Sequence, residues 1–88
     1  MSRLFKEHTV YKVVGDRLFI YTCMEILGEN RFAVQIASSF YSNDSPGGLE
    51  QHTRWRIDTL QTFLDNPDIN WWPSLQEAIE DHDRNFCN

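Results

Sequence analysis

RLFIYTCMEIL, residues 17–27, is the strongest strand signal in the chain, and its reading decides the rest. Leu18, Ile20, Thr22, Met24 and Ile26 alternate with Phe19, Tyr21, Cys23, Glu25 and Leu27, and neighbouring side chains of a strand point to opposite faces. Both sets are largely apolar. That is the pattern of a central strand covered on two sides. Gly15-Asp16 precedes it and Gly28-Glu29-Asn30 follows it, two short turn sequences with residues that tolerate positive φ. A central strand between two tight turns calls for a strand on each flank. Thr9 to Val14, rich in β-branched and aromatic residues, supplies the first. Arg31 to Phe40 supplies the other, with Phe32, Val34, Ile36 and Phe40 expected on one face and Arg31, Ala33, Gln35, Ala37 and Ser39 on the other.

Beyond the strands the period changes from two to that of a helix. Residues 41–48, Tyr-Ser-Asn-Asp-Ser-Pro-Gly-Gly, read as a loop by composition. Ser45-Pro46 offers a second reading, a helix start with Ser as cap and Pro at the first helical position. Leu49 to Leu64 is expected to be helical, its stripe formed by Thr53, Ile57, Leu60 and Leu64 with Leu49, Arg56 and Phe63 at the edge. Trp55 then falls on the polar side with Gln51, His52, Asp58, Thr59 and Thr62. Asn66-Pro67 ends this helix, because a residue before proline is driven out of the α region. A connector with Trp71 and Trp72 leads to a last helix, Ser74 to Phe86. Ser74 and Glu77 have capping-box spacing, and Leu75, Ala78, Ile79, His82 and Phe86 form its stripe. Glu77, Glu80, Asp81 and Asp83 form an acidic face.

The expected architecture is a single α+β domain over residues 1–88, a three-stranded antiparallel meander followed by two helices on one face of the sheet, in the order β-β-β-α-α. Such a sheet has two edges, and an uncovered edge in a small domain invites pairing with a second copy. At 88 residues, 41% hydrophobic and 14% aromatic, the chain has material for a real core. The formal net charge of −5 argues against nucleic acid as a partner, since affinity for phosphates comes from Lys and Arg and only eight are present. Residues 1–36 are nearly balanced, whereas residues 37–88 carry nine acids against three bases. That half repels DNA and anionic membranes and attracts basic protein surfaces. Two cysteines, Cys23 and Cys87, without a visible secretory leader, fit a reduced cytoplasmic protein. No apolar run approaches the ~20 residues that cross a bilayer.

No catalytic constellation emerges. His8, His52 and His82 are far apart, and His82, Asp83 and Cys87 do not have metal-ligand spacing, so no metal and no cofactor is expected. Cys23 sits in the strand pattern without a cation or helix start to lower its pKa, and reads as a small core residue. The serines near residue 42 lack a glycine-flanked nucleophile turn. Glu80 and Asp83 are one turn apart on a polar helix face, the pattern of a solvated acidic side rather than of an acid–base pair in a cleft.

Tryptophan is the feature that points to function. Trp55, Trp71 and Trp72 beside Arg54 and Arg56 combine the residue types enriched at interface hot spots, although large aromatics also simply fill small cores. The expectation is a non-catalytic, cytoplasmic protein-interaction or regulatory module that forms a homodimer. The first alternative is an acidic inhibitor or immunity-type protein whose helical half occupies a basic site. The second is a small-molecule or enzymatic domain with a pocket under residues 41–48, lined by Phe40, Tyr41, Trp71 and Trp72.

Overall fold

The computed structural model describes residues 3–41, 43 and 45–86; Cys87 lies outside the described residues, and for 45, 46 and 86 only the backbone is described. Three strands, β1 (Phe5–Val14), β2 (Arg17–Ile26) and β3 (Arg31–Tyr41), form one antiparallel sheet in the order β1-β2-β3. Helices α1 (Ser45–Leu64) and α2 (Leu75–Phe86) follow. The fold is therefore α+β with the β-β-β-α-α order that the residue patterns predict.

The turns show why the meander forms. Gly15 has φ 61° and begins the two-residue link between Val14 and Arg17, the glycine-first pattern of a type II′ hairpin turn. The second link spans four residues rather than three. The amide of Glu29 donates to the carbonyl of Ile26 at 3.2 Å, with Gly28 at φ 86° and Asn30 at φ 50°. Leu27 consequently leaves the strand and is exposed.

Helix α1 begins at Ser45, four residues before Leu49, so the second reading of Ser45-Pro46 describes the chain better than the loop does. Gly48 suits the first turn for a packing reason. A Cβ on Gly48 would run into the ring of Phe40, so glycine lets the helix backbone close onto the end of β3. At the other helix, Ser74 caps α2: its hydroxyl accepts from the Glu77 amide at 3.1 Å and donates to the Glu77 carboxylate at 3.0 Å.

Two expectations about packing are corrected. First, the helices do not share a face. Thr22 and Tyr21 are consecutive in β2, yet Thr22 is hydrogen-bonded to His52 of α1 and Tyr21 to Asp83 of α2. Consecutive strand side chains point opposite ways, so α1 and α2 cover opposite faces. This is what the two-sided apolar pattern of β2 demands, and Ile20 through Met24 are all buried. Second, the alternation of β3 is broken. Thr22 pairs with Ile36 and Cys23 with Val34, leaving Gln35 without a partner as a bulge. Ala33, Ile36, Ser38 and Phe40 thus share the α1 face, while Val34 and Ala37 share the α2 face.

The connector 65–74 carries the chain from one face to the other around the outer edge of β3. Trp72 makes an isolated antiparallel bridge with Phe32, each amide donating to the other's carbonyl at 2.7 Å. Part of that edge is thereby covered. The outer edge of β1 has no partner strand among the described residues.

Candidate interaction surface

Over its first three turns, the side of α1 that meets the sheet is polar, and Phe63 follows it. His52 is buried, with one ring nitrogen 2.7 Å from the Thr22 hydroxyl and the other 2.7 Å from the Ser38 hydroxyl. Arg56 reaches across to β1 and binds both carboxylate oxygens of Glu7 at 2.7 Å. The bulged Gln35 donates to the Arg56 carbonyl at 2.8 Å and to the Thr59 hydroxyl at 3.0 Å. Burial, aided by the Arg56 charge and opposed by Glu7, lowers the His52 pKa below its ordinary value. A neutral imidazole between two hydroxyls results.

With His52, Arg56, Thr59 and Phe63 turned to the sheet, the expected stripe of Thr53, Ile57, Leu60 and Leu64 is rotated away from it. Ile57 is 64% exposed and Leu49 40%, while Leu60 and Leu64 are half-buried. The cause is the chemistry of the opposing strands. Glu7, Thr22, Gln35 and Ser38 need polar partners, and an apolar stripe laid on them would leave buried donors and acceptors unmatched.

Helix α1 packs mainly over β3, with a narrower footing on β2. A helix is ~10 Å across and strands lie ~4.8 Å apart, so one helix on β3 leaves part of the third strand bare, beyond Phe5, which stacks on Trp71, and Glu7, which Arg56 holds. On β1 two residues of that face, Tyr11 and Val13, are 58% and 71% exposed. Between α1 and β1 runs a groove of ≈ 240 Å³, floored by Thr9, Tyr11, Ile20 and Thr22 and walled by Leu49, His52, Thr53 and Arg56.

The opposite face is built differently. Helix α2 turns Ala78 inward and its acids largely outward. Asp83 is the exception: it accepts from the Tyr21 hydroxyl at 2.7 Å and from the Lys12 ammonium at 2.6 Å. Burial pulls its carboxyl upward, but those two hydrogen bonds prevail and hold it below the ordinary value. The ring of His82 stands edge-on to Tyr21 at 6.1 Å.

The residues singled out in the sequence do not form one cluster. Trp55 is 43% exposed, Arg54 points to solvent and pairs with Glu50 at 3.8 Å, and Arg56 is turned inward to Glu7. Trp71 is half-buried between Phe5 and Phe63, with ring centroids 6.2 and 6.1 Å apart, and Trp72 is tied to Phe32. Phe40 and Tyr41 pair with Leu18 and Arg17 at one end of β3, whereas Trp71 and Trp72 stand at the other, so those four line no common pocket. Glu77, Glu80 and Asp81 lie along α2 with Asp83. A second groove of ≈ 280 Å³ lies beside β3, between Phe63, Trp72, Ala78, Asp81 and His82.

His52 and His82 belong to opposite faces, and among the described residues no group of three His, Cys, Asp or Glu is placed to hold a metal ion. Cys23 is fully buried, and burial pushes its thiol up to about 12. No helix among the described residues is long and apolar enough to cross a membrane. Nothing in the strand or helix periodicity marks Tyr11, Val13 and Ile57 as surface residues, yet all three are exposed. The signal that finds them is the polar content of the sheet face opposite α1. No family model matches the chain, and neither a curated protein nor a solved structure matches it.

Proposed function

We propose that this chain is a non-catalytic interaction module that works by associating with itself. One observation carries the reading: α1 is mounted with its polar side inward, so that Leu49 and Ile57 face solvent beside the bare Tyr11 and Val13 of β1. Contiguous exposed apolar surface of this kind marks interaction sites. The non-catalytic part is supported by the state of the nucleophile and base candidates. The Cys23 thiol is buried and hard to ionise, and both nitrogens of His52 are engaged by hydroxyls that also hold the helix.

Charge favours a second copy over an unrelated partner. On the α1–β1 side Glu7 pairs with Arg56 and Glu50 with Arg54, while Asp58 of α1 adds one exposed acid. The densest acid lies on α2, behind the sheet, where Glu77, Glu80, Asp81 and Asp83 stand against Arg84. Two chains of net charge −5 can meet with less repulsion through that face than through α2. Sedimentation equilibrium across the micromolar range is the test. A mass that rises toward twice 10.4 kDa supports the reading, and a monomer throughout refutes it.

A second reading rests on α2. Glu77 and Glu80 are exposed, and α2 offers them on the face away from the α1–β1 side. An acidic inhibitor of a basic site would use that helix. Binding to a basic protein that vanishes with moderate salt supports it, and a salt-insensitive complex removes it.

A further inference from the structure

We propose that the cavity between β3 and α2 is a binding site for a small organic cation, a primary ammonium on a short apolar body, with Asp81 as its counter-charge. This goes beyond self-association and does not rest on it. The cavity lies at the β3 edge, whereas the α1–β1 groove lies over β1 and β2.

Three carboxylates among the described residues are half-buried: Glu25, Asp81 and Asp83. Two of them have partners. Glu25 lies 2.8 Å from a nitrogen of the His8 ring, and Asp83 accepts from Tyr21 and Lys12. Asp81 lines the cavity, and among the described residues no side-chain hydrogen bond or ion pair engages it. A carboxylate drawn partly out of water gives up hydration that only a counter-charge or donors restore. An ammonium supplies both, with three N–H groups and a full charge.

The surroundings are of one sign. Residues 65–86, the connector and α2, hold six acids and a single base, Arg84. Among the described residues that line the cavity, none is Lys or Arg. His82 adds no charge at neutral pH, because burial holds its ring below the ordinary value against the pull of Asp83 and Asp81. Such a site draws cations and repels anions. Among the described residues no group of three His, Cys, Asp or Glu stands together to hold a metal ion, so the cation expected here is organic.

The rest of the lining shapes the ligand's body. Phe63 and Trp72 stand in the wall, and the face of an aromatic ring attracts a cation, tryptophan most of all. Ala33 and Ala78 are almost fully buried there, and their small side chains leave the room that larger ones would fill. The volume of ≈ 280 Å³ falls just below the range of drug-sized sites, which suits a molecule the size of an amino acid. Val34 adds main-chain groups. Phe32 gives its amide and its carbonyl to Trp72 across the outer edge of β3. Outward main-chain groups recur at every second residue of a strand, so those of Val34 face the same edge, beyond the isolated bridge.

The test is a titration of the full chain at fixed ionic strength, followed by amide-resolved NMR. The probe is 2-phenylethylammonium, and 2-phenylethanol is its uncharged counterpart. The ammonium is expected to give saturable shifts at Val34, Trp72, Ala78 and Asp81, at concentrations on the order of 1 mM. The alcohol is expected to bind about 10-fold more weakly. Asp81→Asn keeps the shape of the side chain, and is expected to weaken the ammonium about 10-fold while leaving the alcohol unchanged. Glu80→Gln removes an exposed acid next to it in sequence, and is expected to change neither affinity by more than about 2-fold.

The ways it fails are distinct. No saturable shift at these residues up to about 20 mM ammonium overturns the site. Equal binding of ammonium and alcohol overturns the cation as the ligand class. Unchanged affinity in Asp81→Asn overturns the counter-charge, and an equal loss in Glu80→Gln overturns the site by reducing the attraction to the general acidity of α2. Should Asp81→Asn unfold, as circular dichroism reveals, the comparison of ammonium with alcohol on the wild-type chain decides.

Discussion

Helices α1 and α2 flank one sheet and point their apolar residues in opposite directions. Helix α2 follows the usual rule. It buries Ala78 against the sheet, exposes Glu77 and Glu80, and lies over Tyr21 and Cys23, which have almost no exposed surface. Helix α1 inverts it, hanging on the sheet by His52, Arg56 and the carbonyl that Gln35 grips, while Leu49 and Ile57 face outward. The same strand, β2, meets both: Tyr21 and Cys23 face α2, and on the α1 side Thr22 sets a hydroxyl among Ile20, Met24 and Ile26. The difference teaches that the face of an amphipathic helix is selected by what lies opposite, not by which stripe is more apolar.

The contrast is sharpest at Tyr21. Truncating it to alanine removes a fully buried ring from the α2 side together with the hydrogen bond that anchors Asp83. A loss of about 3–5 kcal/mol is expected in urea unfolding. The matching change on the α1 side, His52→Ala, removes less apolar material but strands the Thr22 and Ser38 hydroxyls, for a loss of about 1–3 kcal/mol. If His52→Ala costs as much as Tyr21→Ala, the two faces are equally core-like and the contrast fails.

Much of this was legible from residues alone. The two-sided apolar pattern of residues 17–27 and the Gly15-Asp16 turn specify the meander, and Ser74 with Glu77 marks the start of α2. What was not legible depends on contacts between distant segments. The bulge at Gln35 has no local signal, since its alternation looks regular until Cys23 pairs with Val34. The inward face of α1 is not legible because periodicity ranks Ile57 and Leu60 above His52 and Thr59, and only Thr22, Ser38 and Glu7 opposite reverse that ranking. Among the candidate residues, Arg54 and Trp55 are at the surface, but Tyr11 and Val13 were assigned to an ordinary strand with no reason to be bare.

Gly48 tests how closely α1 is held. Glycine to alanine within a helix ordinarily gains about 0.5–1 kcal/mol. Here the added methyl meets the Phe40 ring, so Gly48→Ala is expected to destabilise by about 1–3 kcal/mol in the same assay. A gain instead would mean that α1 stands off the sheet at its start.

Acid sharpens the contrast further. The folded-state pKa of His52 is lowered, first by burial and then by Arg56, so the unfolded chain binds the proton more readily. Stability is therefore whole above the ordinary histidine value of 6.5 and falls as pH drops below it toward the lowered value. His82, also lowered by burial, has the same sign. Asp83 is held below its ordinary 3.8, so its contribution persists through that range and is lost only in stronger acid. Melting temperature between pH 7.5 and 5 should decline, and His52→Gln should flatten part of the decline. An unchanged slope in that variant would assign the acid sensitivity to the α2 side.

The smallest effect belongs to the residue that looks most like core in the sequence. Ile57 lies at the centre of the apolar stripe, and a buried isoleucine replaced by threonine forfeits apolar transfer and strands a hydroxyl. At 64% exposure neither penalty applies. At dilutions where the chain is monomeric, Ile57→Thr is expected to stay within about 0.5 kcal/mol of wild type. Under the same conditions His52→Ala loses several times as much, although a histidine on a helix is the residue more often free to vary. A loss of about 2 kcal/mol or more at Ile57 would mean that the stripe meets the sheet after all. It would also return Tyr11 and Val13 to ordinary edge residues with no partner to seek.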